Sequence, residues 1–137
     1  MPIGYVILGD LELVIAKTWG VVYDETVLSH LASLKSDPDF KPTYSVISDI
    51  RDIVANNVSQ SFLSDLAARN PYDKKAMQAI IVRQDPERKM AHQWGVSSTN
   101  ANAYYKVTDS LDDAIVWLGL SAKRQLINLA LSEIPLD

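Results

Sequence analysis

Apolar and polar positions alternate along this chain in two rhythms, one close to two residues and one close to 3.6, and the changes between them divide it into elements. Residues 3–8 and 12–19 are rich in Ile, Val, Leu and Trp and flank Gly9-Asp10, a pair suited to the positive dihedrals of a tight turn. They predict an antiparallel hairpin. From Asp24 the period lengthens: Val27, Leu28, Leu31 and Leu34 share one helical face, with Asp24 as the expected cap and Asp37-Pro38 as the stop. Tyr44–Ile50 is a short run with a β-branched centre. Ser59 then opens a second helical pattern with Phe62, Leu63, Leu66 and Ala67 as its stripe.

The alternation repeats downstream. Residues 77–83, "MQAIIVR", read as a buried strand, and Asp85-Pro86 places a cap before a proline at the first helical position, with Met90, Ala91 and Trp94 facing inward. The polar loop "SSTNAN" leads to a short strand at 103–108. Ser110 and Asp113 have the spacing of a reciprocal cap, and Leu111, Ala114, Ile115 and Leu118 form the inner face of a helix ending at Gly119. Ser121–Ile134 carries one further helical pattern. The order is ββαβαβαβα plus a terminal helix, which predicts an α/β layered domain with a mainly parallel sheet and right-handed crossovers.

Composition narrows the function classes. With 137 residues, 47% of them apolar and 22% charged, the chain has the balance of a single soluble domain able to bury its own core. A net charge of −4 offers no field for nucleic acid or anionic lipid. Cysteine is absent, which rules out disulfides, thiolate metal sites and a cysteine nucleophile, and fits a reducing cytoplasm. The first residues carry no basic leader, and their apolar run breaks at Gly9 and Asp10, so the chain is expected to begin inside the folded domain. His30 and His92 have no ligand-like spacing to each other or to acidic residues. No phosphate loop or nucleophile elbow is present. Asp49, Arg51 and Asp52 have the residue types of an oriented acid/base pair, but the simpler expectation is a strand-to-helix turn in which Asp accepts backbone N–H groups and Arg51 pairs with a neighbour. Neither an enzyme nor a cofactor is expected.

The phrases "WGVVYDETVLSHLASLKSDPDF", "VISDIRDI" and "DSLDDAIVWLGL", in this element order, resemble the SpoIIAA-like branch of the STAS/SEC14-type bacterial proteins, related to anti-sigma-factor antagonists. The resemblance covers residues 1–120 and implies a STAS-like domain, with 121–137 as an additional C-terminal helix packed on it. In antagonists of known role, a loop reading Asp-Ser-Ser-Gly carries a serine phosphorylated by a partner kinase. Here Asn57, Val58, Ser59 and Gln60 stand at those positions, and only Ser59 matches. Ser59 is therefore a candidate for phosphorylation or for plain helix capping, with an aspartate expected to serve equally well in its place. The implied partner surface is Asp52, Asn57, Ser59 and Gln60.

The tail adds a further expectation. Leu126, Ile127, Leu129, Ala130, Leu131 and Ile134 spread over more of a helix than one buried stripe requires, so Leu126, Ile127, Leu129, Leu131 and Ile134 are candidates for a homodimer interface. Two functions follow as expectations: a non-enzymatic, cytoplasmic protein-interaction module in a bacterial regulatory setting, or a carrier or sensor of a small apolar, anionic or lipid-like ligand between sheet and helices. For the carrier, Trp94, Tyr104, Tyr105 and Trp117 are the candidate pocket lining.

Overall fold

The structure, a computed structural model, describes residues 2–59, 61–62, 65, 70–83, 88–89, 91–92 and 104–136. Five strands, β1 (Ile3–Leu8), β2 (Leu13–Tyr23), β3 (Ser45–Asn57), β4 (Gln78–Ile81) and β5 (Tyr105–Thr108), form one sheet in that order. β1 runs antiparallel to β2, and β2, β3, β4 and β5 are parallel. The helices described from end to end are α1 (Asp24–Ser36), α2 (Leu111–Trp117) and α3 (Arg124–Ser132). Of the expected second and third helices, only 61–62, 65, 88–89 and 91–92 are described, and these are helical; Leu63, Leu66, Ala67, Asp85-Pro86, Met90 and Trp94 lie outside the described residues.

The helix α1, which joins β2 to the parallel β3, packs on one face of the sheet, and α2 and α3 pack on the other. The pleat then sorts side chains alternately between two layers. Leu13, Ile15, Ile47, Ala79 and Ile81 face α2 and α3, packing with Ala114, Ile115, Ile127, Leu131 and Ile134. Their neighbours Val14, Val46, Ile80 and Val82 face the opposite side, where α1 lies. The mixed α/β architecture read from the sequence is the one found.

Local details depart from the reading. The first hairpin closes through a 3-10 turn at Gly9–Leu11, and the positive φ (51°) falls on Glu12 rather than on Gly9 or Asp10. The reciprocal cap at α2 is half made. Ser110 Oγ accepts the Asp113 N–H (3.2 Å), but the Ser110 N–H goes to Thr108 Oγ1 (3.3 Å). Asp24 does not cap α1: Thr26 Oγ1 accepts the Tyr23 N–H (3.2 Å), leaving the Asp24 carboxylate for another task. β3 continues seven residues past Ile50, where the expected run ended, so Asp49, Arg51 and Asp52 stand inside a strand and do not form a turn.

Candidate interaction site

β4 pairs with β3 only from Val46 to Asp49, while β2 follows β3 as far as Asn57. The ends of β2 and β3 consequently extend beyond β4 as a two-stranded parallel ribbon. Its register shifts twice, between Lys17 and Trp19 and between Gly20 and Val21, with β3 contributing the extra residue each time. Such bulges increase local twist and re-aim side chains. Gly20 meets the second shift with φ +69°, a left-handed conformation that a residue bearing a Cβ adopts at a cost of roughly 1–2 kcal/mol. Val54 is the residue without a register partner there, and it is 81% exposed.

Around Val54 the surface is mixed. Val22 and Ile53 are buried on the α1 side, whereas Val21 and Tyr23 are exposed. Asp52 is half-exposed and pairs with Lys17 (3.4 Å). Arg51 folds back on Asp49, whose carboxylate is 3% exposed: Nε donates to Oδ1 and Nη2 to Oδ2, both at 2.9 Å, and the Arg51 backbone N–H also reaches Oδ1 (3.1 Å). These bonds hold the guanidinium pKa above its ordinary value, against a smaller opposing effect of burial. The open edge of the ribbon is partly covered, since Arg83 Nη2 donates to the Ile53 carbonyl (3.3 Å).

The ribbon ends in a clasp. Ser59 donates its backbone N–H to Asp24 Oδ1 and its hydroxyl to Asp24 Oδ2, both at 2.8 Å, while its Oγ accepts the Phe62 N–H (3.2 Å). The serine thus caps the segment entered at 61–62 and also ties the end of β3 to the start of α1. An aspartate at 59 would lose the donor and face a second carboxylate, so the expectation that it would serve equally well does not hold. Asn57 and Ser59 lie at this end of the ribbon, whereas Asp52 stands opposite Trp19 near its start; Gln60 is outside the described residues. Val21, Tyr23, Asp24 and Val54 join them without having been selected from sequence. The available signal was Val54 itself, an apolar residue between Ile53 and Ala55 that a one-sided strand has no need of.

Two hollows complete the geometry. A cavity of about 140 Å³ lies between the α1-side face of the sheet and α1, walled by Val22, Val27, Ile50, Ile53 and Ile80, with His30 and Tyr72 among its polar contributors. The expected aromatic lining is not what forms it. Trp117 packs in the α2–α3 layer, Tyr105 stands edge-on to His92 (centroids 5.9 Å apart), Tyr104 does not line the cavity, and Trp94 is outside the described residues. A second, open groove of about 570 Å³ runs between β1 and α3, bordered by Leu126 and Leu129. Of the five tail residues assigned to an interface, Ile127, Leu131 and Ile134 are instead buried in the core, because the sheet needs a cover on that face; Leu126 and Leu129 remain exposed.

The chain is similar to a solved structure of an uncharacterised protein from the DUF3478 family, from Shewanella loihica PV-4, described as having a SpoIIAA-like fold. The two share 19% identity at a TM-score of 0.52, over 85% of this chain and 91% of that one. The fold is SpoIIAA-like. No family model and no curated protein matches the sequence. Among the described residues no group of three or more His, Asp or Glu is placed to hold a metal ion, and no helix is long and apolar enough to cross a membrane.

Proposed function

We propose that this protein is a non-enzymatic, SpoIIAA-like interaction module of a bacterial regulatory system, and that it meets its protein partner through the ends of β2 and β3. The observation that carries this reading is the exposed Val54, set out of register by a bulge beside Val21 and Tyr23 and next to the Asp24–Ser59 clasp. A small apolar patch rimmed by polar residues is the usual composition of a contact surface. Asp49 and Arg51 are engaged with each other and Asp52 pairs with Lys17, which supports a structural role for the three.

Quantitative mass spectrometry of proteins co-purified from the host with wild type and with Val54→Asp tests the proposal. One partner should be depleted about tenfold or more in the variant, with the fold intact by circular dichroism. An unchanged set of co-purified proteins would count against this surface.

We also propose a homodimer through Leu126 and Leu129. The support is their exposure on α3 beside β1, which ends the strand order among the described residues.

A further inference from the structure

The edges of the sheet are built differently. β5 is four residues long and carries Lys106, and the overhanging end of β3 is partly shielded by Arg83. These are usual protections of an edge, whose row of N–H and C=O groups otherwise accepts another strand. β1 has none of them. Ile3–Leu8 contains no charged residue and no proline, and its pairing with β2 runs without a shift of register. Val6 and Leu8 pack on the α3 side and Tyr5 and Ile7 on the α1 side, yet every residue of the strand is only half-buried.

One bond gives the direction of the backbone groups. The Trp19 N–H donates to the Pro2 carbonyl (2.9 Å), which makes positions 2 and 19 a hydrogen-bonded pair in the register that sets Ile3 against Thr18. Such pairs alternate along an antiparallel ladder, so Gly4, Val6 and Leu8 bond β2, and the N–H and C=O of Ile3, Tyr5 and Ile7 point away from it. Among the described residues no strand lies on that side.

We propose that this row takes a second copy of β1, antiparallel across a two-fold axis at Tyr5, so that two sheets join into one. In this register Ile3 exchanges both backbone bonds with the partner's Ile7, and Tyr5 does so with the partner's Tyr5. A two-fold sets like beside like, and a strand without charges meets no repulsion there. The Tyr5 side chain leans towards α1 and away from the axis: its ring stands edge-on to His30 (centroids 5.5 Å apart) and its hydroxyl donates to Asp37 (2.8 Å). A strand edge about 20 Å long buries less than the roughly 800 Å² per partner of a stable interface, and the exposed Leu126 and Leu129 beside β1 enlarge the contact. The inference rests on the homodimer proposed above and gives it a seam.

The test is residue-resolved amide hydrogen exchange of the full chain, with its mass taken by light scattering at the same concentration. In the dimer the Ile3, Tyr5 and Ile7 amides should be protected to within about tenfold of Val6 and Leu8, whereas a free edge leaves them exchanging about a hundredfold or more faster. Ile7→Pro removes an outward donor and spares the ladder to β2, a placement that an edge strand tolerates, and it should raise the dimer dissociation constant about tenfold or more. A monomeric wild type overturns both the homodimer and its seam. A dimer whose outward amides exchange freely leaves the α3 contact standing and overturns the pairing of β1. So does a folded Ile7→Pro variant with the wild-type dissociation constant.

Discussion

At the scale of single residues, the molecule gives its polar side chains definite structural work. Ser59 Oγ donates to Asp24 and accepts from the Phe62 N–H, so Ser59→Ala should cost about 1 kcal/mol in chemical denaturation, the usual loss for a capping hydroxyl. Ser59→Asp should cost more than alanine because its carboxylate meets that of Asp24; equal stability of the two variants would show that the clasp is not formed. His30 adds a dependence on pH. The folded state holds its pKa near 4 while the unfolded chain takes a proton from about 6.5 downward. The folded state is thus favoured fully above about 6.5, and that advantage declines as pH falls towards 4, by about 2–3 kcal/mol in total. Tyr5, edge-on to His30, and Tyr72 do not titrate in this window, since burial raises both, Tyr5 to about 12. Denaturation at pH 7 and pH 4.5 should therefore show a loss for the wild type that is largely absent in His30→Phe. Equal losses in the two proteins would assign the acid sensitivity elsewhere.

At the scale of elements, the C-terminal helix is held by a close approach that only glycine allows. A Cβ built on Gly4 would lie 2.7 Å from Ile134 Cγ2, so Gly4→Ala must push the end of the α3 segment away from β1. A loss of about 1–3 kcal/mol is expected, as for other overpacked sites. Combined with Ile134→Ala, which removes the obstructing methyl, the loss should be less than the sum of the two single effects, and strict additivity would refute the contact. The α3 pattern also shows what a linear reading separates and what it does not. The apolar period identified the helix and its core positions together, but only the sheet decides that Ile127, Leu131 and Ile134 turn inward and Leu126 and Leu129 outward. β3 was underestimated for a related reason. Asp49, Arg51 and Asp52 look like a polar stop, yet Asp49 and Arg51 satisfy each other within the strand and Asp52 pairs with Lys17 across it, so the ladder continues.

At the scale of the whole molecule, element order and the alternation of strand residues were enough to foresee a mainly parallel sheet with an antiparallel first hairpin, because chirality leaves few topologies for such an order. The candidate site was legible only in part. Asn57 and Ser59 could be marked, whereas Asp24 stands 35 residues from Ser59 and Val54 is exposed through a register shift, and neither relation has a local signature. The remaining apolar surface on α3 bears on assembly. Full-length protein should scatter light as a dimer at micromolar concentration, and Leu126→Lys with Leu129→Lys should make it a monomer, as charges placed in an apolar contact require. A monomeric wild type would remove the homodimer from the account without touching the β2–β3 surface. That surface is tested most directly by photo-crosslinking in the host, with a benzoylphenylalanine placed at Val54 and, as a control, at the exposed Lys35 on α1. One discrete partner adduct at position 54 and none at 35 is the predicted result; the same adducts at both positions, or none at 54, would contradict the claim that this protein works through the ends of β2 and β3.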